Sequence, residues 1–150
     1  MTPARFIAGG FGTGFSPIAA GTVASLAAVL TGAGLMTLSR WAVPLVALGA
    51  TVGGYAAISR AKVDGDPGWV VIDEFAGQWI TLLALHRPTL PGLILAFLLF
   101  RVFDITKLGP VGWADRQHGA FGIMADDVIA GVIAALLLAF AGLMWPALRI

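Results

Sequence analysis

Between Arg5 and Arg40 the chain carries no charged residue, and from Trp41 to Ser59 it again carries none. Uncharged runs of this length rule out an ordinary water-soluble fold, in which about a quarter of residues are charged. Of the 150 residues, 59% are hydrophobic and 11% charged, with a mean hydropathy of +0.92. The chain therefore reads as a single all-α domain over residues 1–150, a polytopic bundle of helices in a bilayer. A span needs about 20 apolar residues. The first is expected from about Ile18 to Leu38 and the second from Trp41 to Ser59, joined by a tight turn at Ser39-Arg40.

The segment "SRAKVDGDPGW" then reads as a loop, with Asp-Gly and Asp-Pro-Gly as turn signals. Asp73 to Leu85 and Pro91 to Phe103 are expected as a third and a fourth crossing. Both are short, since about 13 residues of helix rise only about 20 Å against a hydrocarbon core of about 30 Å. Residues 108–125 are Gly-rich and polar, and Val128 to Leu148 reads as a fifth span.

Some chemistry is excluded at once. With no cysteine, disulfides and cysteine nucleophiles are impossible. A net charge of +1 offers no basic surface for nucleic acid. Arg5 and the small residues near Ala19 imitate a cleaved leader, but Gly9, Gly10, Gly12 and Gly14 interrupt its apolar core.

With five crossings, Arg5, Arg60, Lys62, Arg101, Lys107 and Arg116 fall on one side, leaving Arg40, Arg87 and Arg149 on the other. The positive-inside rule makes the first side cytoplasmic. All eight acids, Asp64, Asp66, Asp73, Glu74, Asp104, Asp115, Asp126 and Asp127, land there too. Asp73 and Glu74 are expected to open the third helix, Asp104 to end the fourth, and Asp126 and Asp127 to open the fifth. Helix capping accounts for one acid per helix start, not two, and not for Asp104 near a C-terminus. Carboxylates gathered near lipid repel one another and lose hydration, which favours a bound cation. Oxygen-only ligands suit magnesium, calcium or manganese.

Beside them, Arg101, Asp104 and Lys107 recur every third residue on one helix face. Snorkelling to headgroups would explain the two cations; the adjoining acids favour a phosphate held jointly with a metal. The glycines of "GGFGTGFSPIAAGT" suit close packing or an anion-facing backbone, and on the residues alone packing is favoured. Gln78, one turn past Glu74, can support it or bond between helices. His118 is a loop residue or a general acid, and His86 falls on the opposite side.

Three blocks, "GFGTGFSPIAAGTVASL", "VIDEFAGQWITLLAL" and "FRVFDITKLGPVGWADRQHGAFGIMADDVIAGV", reach together from about Gly9 to Gly131. In them the chain resembles the phosphatidylglycerophosphatase A family, bacterial magnesium-dependent lipid phosphatases that convert phosphatidylglycerophosphate to phosphatidylglycerol. Asp-Glu-Phe, Phe-Arg-x-x-Asp-x-x-Lys and Gly-x-Met/Ile-x-Asp-Asp carry the likeness. The chain departs from it at Ala20-Gly21-Thr22, where the family commonly has Pro-Gly-Thr, and at Lys107-Leu108, where it has Lys-Pro. The resemblance implies Mg²⁺ held by Asp73, Glu74, Asp104, Asp126 and Asp127, with Asp73, Glu74, Asp104 and Asp127 catalytic. It implies substrate contacts from Arg101, Lys107, Gly21 and Thr22, which reverses the packing reading of the first block. The expected enzyme is a phosphoric monoester hydrolase of the bacterial inner membrane, its site facing the cytoplasm and its partner a phospholipid. A small divalent-cation transporter or channel and a structural assembly protein are the alternatives.

Overall fold

The structure is a computed structural model and describes residues 1–63 and 65–145. Asp64, Arg149 and the end of the expected fifth span lie outside the described residues. The elements are α1 (Pro3–Ala8), a 3-10 stretch (Gly10–Phe15), α2 (Ala20–Leu38), α3 (Ala42–Ala61), α4 (Ile72–Leu82), α5 (Leu90–Thr106), α6 (Pro110–Asp115) and α7 (Gly119–Met144). Among the described residues there is no strand.

Among the described residues three helices, not five, are long and apolar enough to cross a membrane: α2, α3 and α7. The expected third and fourth crossings exist as helices but fall short. α4 has 11 residues and α5 has 17, about 16 and 25 Å of rise. α4 survives at that length because it is an inner element, packed against α7, α3 and α2 with nine of its residues buried. It still reaches between the two ends of the bundle. Its first turn lines a cleft with the start of α2, and Leu82, just before His86, lies with Arg40 near the turn from α2 to α3.

The fifth span differs most from expectation. α7 starts at Gly119, not Val128, so Asp126 and Asp127 sit two turns inside the helix. The Gly-rich, polar stretch 108–125 holds α6 and the opening of α7. α2 starts at Ala20, two residues after the expected Ile18, on an N-cap, Ala19, in the left-handed region (φ 46°), and ends at the expected Leu38.

The packing is that of a bilayer protein turned outward. Leu30, Leu45, Leu48, Leu136, Phe140 and Leu143 are exposed, whereas Ala24, Ala28, Ala47, Ala50, Ala130 and Ala134 are buried. Lipid offers no drive to bury leucine, so helices associate through small residues that let backbones approach. The tightest approach is α4 on α7. A Cβ placed on Gly131 would run into the Gly77 carbonyl, and one on Gly77 would meet Phe100 and the Asp127 carbonyl. Thr81 Oγ1 donates within this contact, at 3.0 Å to the Gly77 carbonyl and 3.3 Å to that of Gly131.

The amino-terminal segment clamps the loop that leads into α4. Val71 N donates to the Ala8 carbonyl at 3.0 Å, Phe15 stacks on Trp69, and the Arg5 guanidinium lies 4.7 Å above the same indole. Gly14 abuts the Trp69 backbone so closely that any side chain would collide with it.

Candidate functional site

Asp73 and Glu74 precede Gly77 by one turn of α4, and Asp127 precedes Gly131 by one turn of α7. The glycine contact that lets these helices touch thereby brings the three carboxylates together. One ligand oxygen from each lies within 4.8 Å of the others. Asp73 is 7% exposed and Asp127 2%. Asp73 Oδ1, Glu74 Oε2 and Asp127 Oδ2 are buried without a hydrogen-bond partner. Helix capping does not explain this. No side chain caps α4 at Val71, and the dipole of α7 has faded two turns in, where Asp127 stands. Three carboxylates, Asp73 and Asp127 buried and Glu74 half-buried, with orphaned oxygens and no nitrogen or sulfur donor beside them, could hold a hard divalent cation.

The remaining candidate acids are held by cations. Asp104, in the last turn of α5, pairs with Arg101 and receives Lys107 Nζ at 3.1 Å. The same Nζ lies 2.6 Å from Asp126 Oδ2, 3.7 Å from Asp115 and 3.9 Å from Asp127. Lys107 reaches this position because it terminates α5 in the left-handed region (φ 50°), turning the chain toward α7. Partial burial works against its charge, but the hydrogen bond to Asp126 and the charges of Asp127, Asp126 and Asp104 outweigh it and raise its pKa above the ordinary lysine value. Of the five expected metal ligands, then, Asp73, Glu74 and Asp127 converge, while Asp104 and Asp126 sit beside them in ion pairs.

All these groups except Asp115 line one cleft of about 410 Å³, together with Gly21 and Thr22 of α2. A Cβ on Gly21 would strike Glu74 Oε1, so glycine is what permits α2 to close over the carboxylates. Arg101 donates from Nη2 to Thr22 Oγ1 at 3.4 Å and from Nη1 to Ser25 Oγ at 3.4 Å. Ser25, fully buried, is a site residue that sequence reasoning missed. Its spacing three after Thr22 on a helix was the available signal.

The other candidates fall elsewhere. Gln78 is fully buried and neither polar atom of its amide has a partner, so it makes no hydrogen bond to Glu74. His118 is exposed and lines an adjoining cavity with Asp66, Asp115 and Asp126. His86 stands at the far end with Arg40. The first glycine block divides: Gly10 and Gly14 pack on Val71 and Trp69, and only Gly21 faces the carboxylates.

Carboxylates that could hold a divalent ion, facing an Arg–Lys pair, suit an anionic phosphate. The comparisons agree with that chemistry. The family model for phosphatidylglycerophosphatase A matches residues 6–142. A phosphatidylglycerophosphatase A of Escherichia coli strain K12 is 44% identical over 149 residues, covering 96% of this chain and 86% of that protein. One from Haemophilus influenzae is 36% identical, covering 91% and 86%. A Bacteroides thetaiotaomicron protein, provisionally named a phosphatidylinositol-3-phosphatase, is 40% identical and covers 88% and 89%. No solved structure matches significantly. Since both the family model and these relatives extend over nearly the whole chain, it belongs to the phosphatidylglycerophosphatase A family.

Proposed function

We propose that this protein removes the terminal phosphate of phosphatidylglycerophosphate, releasing phosphatidylglycerol and inorganic phosphate. The observation that carries the reading is the cleft itself: Asp73, Glu74 and Asp127, with orphaned buried oxygens, face Arg101 and Lys107 across one opening. A phosphate monoester dianion cannot approach three bare carboxylates, because like charges a few ångströms apart in a poorly solvated site repel by several kcal/mol, roughly. Asp73, Glu74 and Asp127 would hold Mg²⁺, with Asp104 and Asp126 at the edge of that set. When bound, the ion supplies charge neutralisation at the phosphate oxygens and activation of water.

The chain's own groups do the rest. Arg101 presents a guanidinium whose orientation is fixed by Thr22, Ser25 and Asp104. Such a preset fork costs little reorganisation as charge builds on the transferring phosphate. Lys107 lies between Asp104 and Asp126 and adds a second positive charge on the same side. α2, closing over the carboxylates at Gly21, keeps bulk water from solvating them.

The site is read as facing the cytoplasm of the bacterial inner membrane, in a multi-pass protein. Arg60, Lys62, Arg101, Lys107 and Arg116 cluster near that end, against Arg40 and Arg87 at the other. The test is phosphate release by the detergent-solubilised protein from phosphatidylglycerophosphate, phosphatidate and phosphatidylinositol 3-phosphate, with EDTA and after Mg²⁺ is restored. Turnover on the first substrate that EDTA abolishes and Mg²⁺ returns is expected. Metal-independent turnover overturns the ligand assignment, and a preference for the inositol lipid overturns the substrate.

A further inference from the structure

A second cavity of about 340 Å³ adjoins the cleft and shares Asp66 and Asp126 with it as walls. The connection from α6 to α7 forms one side through Asp115, Gln117 and His118, and the loop after α3 forms another through Val63 and Gly65. Among the described residues no lysine or arginine lines it. The catalytic cleft, by contrast, has Arg101 and Lys107 in its walls. Lys107 reaches two of its three aspartates from the neighbouring cleft, Asp126 at 2.6 Å and Asp115 at 3.7 Å, and the wall that remains offers carboxylate acceptors, which suit hydroxyl groups better than a second phosphate. Gln117 suits that role, because its Nε2 is committed to the Trp113 carbonyl at 3.0 Å, which fixes the amide and leaves its oxygen as a further acceptor.

The reading above requires a substrate in which a short polyol carrying a free hydroxyl joins the scissile monoester to an inner phosphodiester. Once the terminal phosphate sits between the carboxylates and Arg101, the polyol must leave the cleft past one of its walls. We propose that the second cavity is the polyol subsite, where Asp66, Asp115, Gln117 and His118 hydrogen-bond the headgroup hydroxyl and so select the lipid headgroup. This rests on the phosphatase reading. The inner phosphodiester then lies at the rim, where the exposed Lys62 and Arg116 neighbour the lining residues Val63 and Asp115. On the same stretch of α7, Phe121 and Met124 face Tyr55 of α3 across an apolar groove of about 350 Å³, which leaves the acyl chains a route along the bundle.

The test uses the full-length protein in detergent turning over phosphatidylglycerophosphate, with glycerol 3-phosphate or inorganic phosphate as competitor. In the unaltered protein, glycerol 3-phosphate is expected to inhibit about fivefold more strongly than phosphate, the worth of roughly one hydrogen bond. The double variant Gln117→Ala/His118→Ala should bring that ratio to about one and leave inhibition by phosphate unchanged. Val63→Phe, which fills the cavity from its other wall, should do the same without touching the polar groups. No preference in the unaltered protein, or a preference kept in both variants, overturns the subsite while the phosphatase reading stands. Absence of any turnover of phosphatidylglycerophosphate overturns that reading and the subsite with it.

Discussion

Gly131→Ala tests whether the glycine crossing of α4 and α7 builds the site. The new Cβ would lie 2.9 Å from both C and Cα of Gly77, and closer still to its carbonyl oxygen, where ordinary contact begins at 3.4 Å. The shortfall against the carbons is 3.4 − 2.9, or 0.5 Å, and against the oxygen 3.4 − 2.3, or 1.1 Å, so full relief moves the helices apart by up to that distance. Overpacking of this size costs about 1–3 kcal/mol, while alanine in a helix interior recovers about 1 kcal/mol over glycine. The net destabilisation is therefore about 0–2 kcal/mol, and the protein should fold. Catalysis is less forgiving, because a misplacement of about 1 Å between reacting groups costs on the order of 10²-fold. Asp127 rides on α7 and Asp73 and Glu74 on α4, so their shared spacing opens directly. Phosphate release should fall on the order of 10²-fold with a small change in melting temperature. The control is Gly34→Ala, where a Cβ meets nothing within 4 Å and activity should hold. A Gly131→Ala protein within about threefold of the unaltered rate would refute the reasoning.

Two further outcomes follow from the same contacts. Lys107→Met leaves Asp104 and Asp126 buried with a cation removed from both, so the loss should be about 3–5 kcal/mol, read as a drop in melting temperature. The folded pKa of Lys107 is raised, so its contribution is complete below the unfolded value of about 10.4 and is lost only as pH climbs through the higher folded one. The gap in melting temperature between the two proteins should thus stay constant from about pH 7 to 9.5, and a gap that closes in that window contradicts the assignment. Gln78→Met replaces an amide with both polar atoms buried and unpartnered by an apolar chain of similar length, which should raise stability by about 1 kcal/mol. A lowered melting temperature would mean that the amide has a partner in the folded protein.

Much of this architecture is legible in the residues, and the misses have definite physical causes. The hairpin of α2 and α3 follows from two uncharged runs meeting at Ser39-Arg40. The start of α7 did not follow, because "HGAFGIM" reads as loop on glycine content while Gly122 is in fact a helical residue, packed so tightly on the Gln117 backbone that a side chain would collide with it. That error hid the more informative position of Asp126 and Asp127, inside a helix where capping cannot account for them. Asp73 and Glu74 were identifiable from charge alone, since acids are scarce in so apolar a chain. Ser25 and the contact of Gly77 with Gly131 were not, because a small residue on a bilayer helix has the same appearance whether it faces lipid, a neighbour or a site.

The placement of polar groups also decides between turnover and transport. Every acid among the described residues except Asp115 lines the catalytic cleft, and Asp115 lies 3.7 Å from Lys107 beside it. Below that level α4 offers Gln78 and Thr81, on the face of Glu74 by helical spacing. Thr81 is turned onto two backbone carbonyls, and the next residue is the buried Leu82. An ion leaving the carboxylates would therefore meet two neutral groups and then hydrocarbon, with no ionisable residue among the described ones until Arg40 and His86 at the far end. A transport path needs ionisable or hydrated groups along its length to offset the cost of moving charge through a membrane. A site closed below and open only at one end suits a reaction in which a lipid headgroup enters from the membrane surface and phosphate leaves by the same face.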